Sequence, residues 1–142
     1  MTYSALRIGR ASHKGGIYHV VATTLDRAPV FADLYRGRIV VEEFMHLQRE
    51  ALADTLCYVV MPDHVHWLLT LGTSSLPTAV GRMKGRVARR IGHPVWQPAF
   101  FDRAVRCEDD VRDMARYIVA NPLRAGLVTR LAEYSLWDAV WV

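Results

Sequence analysis

Two histidines spaced one residue apart are the first feature of this sequence that could do chemistry. His64 and His66 flank Val65 in the run His-Val-His-Trp-Leu-Leu-Thr-Leu, which predicts a β-strand. Side chains at positions i and i+2 of a strand point to the same face, about 7 Å apart along the chain, so both imidazoles could reach one ion while Val65 faces the core. Such a pair is more often an ordinary polar pair than a metal site, and the triplet alone leaves both interpretations open.

A tyrosine and an asparagine form the second candidate pair. Tyr117 and Asn121 are four residues apart in a segment with helical spacing of apolar residues, so their side chains are neighbours on one helix face. One element could thus supply both groups to a single site. The simpler alternative is a tyrosine beside Met114 at the edge of the core, followed by an asparagine that ends the helix before Pro122.

A basic helix face is the third candidate. Residues 82–90 contain five bases and no acid, and the chain as a whole has a formal charge of +4 and a pI of about 9.4. A solvated helix face usually mixes charges of both signs, so this composition favours contacts with phosphates over a plain solvated surface. The predicted phosphate contacts are Arg82, Lys84, Arg86, Arg89 and Arg90.

The order of the predicted elements specifies the fold that must position these groups. It is strand, helix, strand, strand, helix, strand, helix, and the first six form the split β-α-β pattern of a ferredoxin-like sandwich. We therefore predict an α+β fold with a four-stranded antiparallel sheet, helices on one face and a C-terminal helix that carries Tyr117. The predicted strands are 17–24, 56–61, 64–71 and 100–106, and the predicted helices are 33–53, 74–91 and 108–121.

Length and composition restrict the remaining possibilities. A chain of 142 residues fits one domain, 1–142, and two cysteines fifty residues apart argue against a disulfide framework or an ordinary structural zinc site. We expect no signal peptide after Arg7, Arg10 and Lys14, no membrane span and a reducing cytoplasm as the location. Trp137 and Trp141 are expected to anchor the tail by packing.

Several motifs in collinear order then resemble a known family. Met61 to His66 reads Met-Pro-Asp-His-Val-His, and Tyr117 begins the string Tyr-Ile-Val-Ala-Asn-Pro-Leu-Arg-Ala-Gly-Leu-Val. With the stretches at 16–20 and 95–102, these motifs resemble the single-tyrosine transposases that carry a histidine-hydrophobic-histidine motif. The branch they resemble is the REP-associated tyrosine transposases, relatives of the IS200/IS605 enzymes, and the resemblance covers roughly residues 15–128.

The resemblance implies a metal-dependent endonuclease and strand-transferase for single-stranded DNA. By position, His64, His66 and Asn121 would be the metal ligands, for Mg²⁺ or Mn²⁺, and Tyr117 the nucleophile that forms a 5′-phosphotyrosine. The expected partner is hairpin DNA, often that of repetitive extragenic palindromes, bound by a monomer or a homodimer. The main alternative is a catalytically silent hairpin-DNA binder or repressor, and an RNA-binding sheet of the same topology is disfavoured because the hairpin presents histidines instead of aromatics.

Overall fold

Five antiparallel strands form a single sheet in the computed structural model, which describes residues 13–140. The strand order is β4-β1-β3-β2-β5. The first four strands in the chain confirm the predicted ferredoxin-like sheet. The strands are β1 (Ile17–Thr23), β2 (Ala53–Met61), β3 (His64–Leu71), β4 (Phe101–Val105) and β5 (Trp137–Ala139).

The prediction of four strands is wrong by one, because the tail adds β5 at the edge beside β2. Its register pairs Cys57 with Ala139 and Val59 with Trp137. A strand of three residues is too short to give a periodic pattern, so the sequence carried no signal for it. As expected, Trp137 packs against an apolar cluster, the one that contains Cys57 and Val59. Trp141 lies outside the described residues.

Within residues 13–140 four α-helices accompany the sheet, and they are α1 (Leu34–Arg49), α2 (Leu76–Ile91), α3 (Glu108–Val119) and α4 (Asn121–Arg124). Asp33 and Ser75 cap α1 and α2 by accepting backbone hydrogen bonds from Tyr35 and Thr78. The first helix ends earlier than predicted, because Ala51 takes a left-handed φ of 59°. Among residues 13–140, no helix combines the length and the apolarity required to cross a membrane.

Different helices pack on the two faces of the sheet. On one face α1 and α2 pack over a large core in which Val65 is fully buried and Trp67 stacks on Phe44 with 4.5 Å between ring centroids. On the other face α3 packs over a smaller cluster that joins Leu68 to Ile118. Because side chains alternate along β3, Val65 points to the first face as predicted, and His64 and His66 point to the second, the face that α3 covers.

The tight turn between β2 and β3 fixes where the histidines begin. Met61 pairs with His64 across the predicted turn at Pro62-Asp63. The turn is held from outside the hairpin, since the Thr24 hydroxyl donates to the carbonyl of Asp63 at 3.0 Å. These contacts fix the position of His64, the first residue of β3 after the turn.

Candidate active site

His64 and His66 lie side by side at the start of β3. Their ring centroids are 5.1 Å apart, with an angle of 75° between the ring planes. His66 is 8% exposed, and the His64 side chain is 18% exposed. The predicted pairing of the two imidazoles on one face is therefore present, at the boundary between the core and solvent.

Each of these imidazoles has its Nδ1 atom engaged by a neighbour. His64 Nδ1 donates to the Asp63 carboxylate at 2.7 Å, and His66 Nδ1 shares a hydrogen bond of 3.0 Å with His19 Nε2. A carboxylate can only accept, so in the neutral form of the His64 imidazole the proton is on Nδ1 and the lone pair on Nε2. Metal-binding histidines are held in the same way, with the nitrogen that does not bind the metal hydrogen-bonded to a neighbour.

The electrostatic environment keeps the buried imidazoles neutral. Burial, reinforced in decreasing order by His19, His64 and Arg124, lowers the pKa of His66 to about 3. Burial and the charge of Arg103 lower the pKa of His19 to about 4. Both side chains are therefore uncharged at neutral pH, which is the form of imidazole that can bind a metal ion.

The Asp63 carboxylate beside His64 is, by contrast, held in its charged form. Burial opposes the ionisation of Asp63, but hydrogen bonds from His64 and Arg27 outweigh it and hold the pKa of this carboxyl below its ordinary value. Arg27 Nε contacts Asp63 Oδ2 at 3.0 Å. Asp63 is thus ionised at neutral pH and keeps the Nδ1 proton on His64.

Tyr117 and Asn121 sit together at the junction of α3 and α4. The Asn121 Nδ2 atom donates to the carbonyl of Ile118 at 2.9 Å and to that of Tyr117 at 3.4 Å. Pro122 has no N–H, so the Ile118 carbonyl lacks its usual helical donor and the side-chain amide of Asn121 replaces it. Only the NH₂ group can donate, so Oδ1 is the atom left available as a ligand, and within residues 13–140 no hydrogen bond joins it to His64 or His66.

An open cleft of about 690 Å³ is lined by both Tyr117 and His19, the residue that is hydrogen-bonded to His66. It runs between β4 and α3, with Tyr117 on one wall and His19 on the other. Tyr117 is 54% exposed, and His19 contacts His66 directly. Arg103 and Arg106 also line this cleft. A DNA strand lying in this cleft would therefore pass both Tyr117 and His19, the side chain that is hydrogen-bonded to His66.

The predicted basic face is positioned differently. Its arginines lie on α2, on the side of the sheet away from the histidines, and three of the four face carboxylates of α1 or of Glu50, the residue that follows it. The ion pairs are Arg82 with Glu50, Arg86 with Glu50 and Glu43, and Arg90 with Glu42 and Glu43. Lys84 donates to the carbonyl of Gln97 at 2.7 Å. Of the four arginines, Arg89 alone has no carboxylate partner in the described part of the chain, and the role of all five residues in binding DNA stays a prediction.

Sequence reasoning did not single out His19 or Arg124. His19 sits in the predicted first strand, but only the register of β1 against β3 brings it beside His66. Arg124 stands two helical turns after Tyr117, and only the continuation of α3 into α4 places its guanidinium over the tyrosine ring. In both cases the sequence offered only the residue type, which does not reveal that His19 contacts His66 or that Arg124 contacts Tyr117.

Comparisons with known sequences agree with this geometry. The profile of the IS200-like transposases matches residues 12–121. A REP-associated tyrosine transposase of Escherichia coli K12 is 28% identical over 91 residues, which are 62% of this chain and 55% of the relative. A Haemophilus influenzae protein given the same family name is 22% identical over 142 residues, 85% of this chain and 78% of that protein. The chain thus matches about half the length of the Escherichia coli relative.

Solved structures share the fold. A REP-associated tyrosine transposase bound to a REP hairpin superposes with a TM-score of 0.79 and 23% identity, covering 90% of this chain and 79% of that one. A transposase-type chain from Deinococcus radiodurans R1 gives a TM-score of 0.56 and 24% identity, covering 78% of this chain and 93% of that one. Since the family profile spans most of the sequence and includes His64, His66, Tyr117 and Asn121, the chain belongs to the IS200-like transposase family, as its resemblance to the REP-associated tyrosine transposases indicated.

Proposed function

We propose that this protein is a metal-dependent endonuclease and strand-transferase for hairpin-bearing single-stranded DNA, with Tyr117 as its nucleophile. The observation that carries the proposal is the open cleft lined by both the exposed Tyr117 and His19, whose Nε2 atom is hydrogen-bonded to His66 Nδ1. Family membership supports the same reaction class. The relative bound to a REP hairpin supports hairpin DNA as the partner.

The donor atoms at the site fit a divalent cation. His64 and His66 would bind it through Nε2, since their Nδ1 atoms are already engaged. Among residues 13–140 no third His, Cys, Asp or Glu side chain joins these two histidines in a group suited to a metal. The Oδ1 atom of Asn121 is our candidate for a third ligand, and the resemblance favours Mg²⁺ or Mn²⁺. Such an ion, when bound, draws negative charge from a non-bridging phosphate oxygen.

The reaction we assign to Tyr117 is a balanced transesterification. The Tyr117 Oη atom forms a bond to phosphorus, the bond from phosphorus to the 3′ oxygen breaks, and the 3′ oxygen gains a proton while the phenol loses one to solvent. One phosphodiester replaces another, so no external energy source is needed. A DNA 3′-hydroxyl attacking the adduct reverses the step, which rejoins strands.

End-labelled hairpin strands test this proposal directly. Incubation of the wild-type protein with such strands and Mn²⁺ should release one fragment with a free 3′-hydroxyl, which a polymerase can extend. The other fragment should have its 5′ end blocked by protein and be resistant to a 5′ exonuclease. Tight binding of the same strands with no cleavage would instead favour the silent binder.

A first prediction concerns the basic face of α2. Changing Arg82, Arg86 and Arg89 to alanine should flatten the plot of log affinity against log salt by less than about 0.7, the contribution of one single-strand phosphate contact, because only Arg89 lacks a carboxylate partner among the described residues. Salt titrations of binding to a labelled hairpin strand measure this slope.

The matched control for that slope removes two arginines that line the cleft. Arg103→Ala with Arg106→Ala should flatten the slope by about 1.4 if each contacts a phosphate. A change of about 2 for the α2 variant would contradict our expectation and assign all three of its arginines to DNA.

A second prediction concerns the support of His66. His19→Leu keeps a buried side chain of similar size but removes the hydrogen bond to His66 Nδ1. The affinity for Mn²⁺ should fall about 10- to 100-fold, the usual effect of losing a group that orients a metal ligand. Calorimetric titration of Mn²⁺ measures it, with His93→Leu in the exposed loop after α2 as control. Unchanged affinity in His19→Leu would remove His19 from the site.

A further inference from the structure

Arg124 lies directly against the proposed nucleophile. Its Cζ atom is 4.0 Å from the centroid of the Tyr117 ring, and its Nη2 atom donates to the Tyr117 carbonyl at 2.7 Å. One guanidinium therefore contacts both the ring and the backbone of the tyrosine.

The local chain geometry explains why Arg124 reaches this position. Residue 120 keeps helical angles, with φ −79° and ψ −3°, so α4 continues the path of α3 beyond the interruption at Pro122. Backbone hydrogen bonds from Arg124 to Ala120 and from Ala125 to Asn121 hold the added turn. Residues seven apart lie on one face of a helix, so Arg124 stands two turns after Tyr117 on the same side.

The charge of Arg124 is not neutralised by any carboxylate in the described part of the chain. This distinguishes it from Arg86 and Arg90, whose charges are matched by glutamates of α1. A guanidinium carries five N–H donors, and the contact with the Tyr117 carbonyl uses one. The remaining donors form the planar fork that suits phosphate oxygens, in an exposed position beside the cleft.

We propose that Arg124 binds the phosphoryl group that Tyr117 attacks. The inference rests on the proposed function, because it requires Tyr117 to be the nucleophile. The tyrosine hydroxyl is at the edge of the ring that the guanidinium covers, so a phosphoryl group bonded to Oη lies beside the free N–H groups of Arg124. Donors already fixed at this point stabilise the negative charge on the phosphate oxygens during transfer.

The alternative is a purely structural role, and the test must distinguish it from a contact with the phosphate. Arg124 could act only by holding the Tyr117 ring and carbonyl in place. In that case its loss would not depend on the charge of the phosphate at the cleavage position. If Arg124 contacts that phosphate, removing the arginine and removing the phosphate charge must have non-additive effects on binding.

The experiment is a double-mutant cycle on DNA binding. The probe is the hairpin strand that the wild-type protein cuts, compared with the same strand carrying a neutral methylphosphonate at the cleavage position. Both are titrated by fluorescence anisotropy with Tyr117→Phe, which keeps the ring, and with Tyr117→Phe plus Arg124→Gln. Arg116→Gln is the matched control, since Arg116 is highly exposed on α3, the helix of Tyr117, and pairs with Asp113.

Arg124→Gln should weaken binding of the natural strand about 10- to 100-fold, as expected for a hydrogen bond to a charged group. Its effect on the methylphosphonate strand should stay within about 2-fold, and Arg116→Gln should have an equally small effect on both. Equal losses on the two strands, or no loss on either, would overturn the proposal.

Two further measurements separate this inference from misfolding and from failure of the proposed function. Arg124→Lys keeps the charge without the planar fork and should recover part of the affinity, with unchanged thermal unfolding. No recovery in a folded Arg124→Lys protein would count against a phosphate contact made through charge. If the wild-type protein forms no adduct with any hairpin strand, the proposed function itself fails, and the role of Arg124 with it.

Discussion

Tyr117→Phe should lower the rate of strand cleavage by at least about 1,000-fold while leaving DNA binding within about 2-fold of wild type. The substitution removes only the hydroxyl, which forms no hydrogen bond to residues 13–140, and it keeps the ring under Arg124. Because the side chain is largely exposed, the free energy of unfolding should hardly change. Single-turnover cleavage and anisotropy titrations measure the two effects on the same strand.

The matched control for this change is Tyr35→Phe. Tyr35 is an exposed tyrosine near the start of α1, remote from the cleft, and its loss should leave cleavage unaltered. Continued cleavage by Tyr117→Phe would mean that another tyrosine attacks. Tyr18 and Tyr58 are poor candidates, because Tyr18 is buried and burial raises the pKa of Tyr58 to about 12.

Changing His64 and His66 to alanine should abolish cleavage and the binding of Mn²⁺ together. The physical reason is that the two Nε2 atoms are the donors we assign to the ion, and Asn121 alone cannot hold it. The fold should persist, because the sheet forms around the apolar face of β3. The loss of His66 leaves His19 Nε2 unpaired, at a cost of about 1–3 kcal/mol in the free energy of unfolding.

Calorimetry with Mn²⁺, thermal unfolding and cleavage assays check each part of that expectation. His93→Ala is the control, since His93 lies exposed in the loop after α2 and should be silent in all three. Efficient cleavage by the wild-type protein in excess EDTA would contradict the metal site. Retained Mn²⁺ binding by the double variant would move that site elsewhere.

Local signals predicted much of the fold. The turn at Pro62-Asp63 and the strand 64–71 are present as expected, because a proline-aspartate turn and a continuous β-branched and aromatic run agree with each other. The end of α1 was misplaced because Arg49 to Ala53 continues a helical composition, while Ala51 adopts a left-handed conformation. The edge strand β5 depends on pairing with β2, which no local pattern encodes.

The types of the site residues could be predicted from the sequence, but the side-chain contacts that these residues make could be predicted less well. Spacing alone placed the two histidines on one face, and also Tyr117 beside Asn121. The pairing of the α2 arginines with glutamates of α1 was missed, because those acids come some forty residues earlier and meet α2 only through helix packing. His19 and Arg124 depend in the same way on strand register and on the path of the chain through Pro122.

The most direct test of the account is to identify the residue that becomes joined to DNA. The wild-type protein, incubated with a hairpin strand and Mn²⁺ and then denatured, should give a covalent species that resists heat and detergent. Proteolysis and mass spectrometry should locate the nucleotide on the peptide that contains Tyr117, joined through a 5′ phosphate. A nucleotide on any other residue, or a cleaved strand with no covalent species, would contradict the assignment of Tyr117 as the nucleophile.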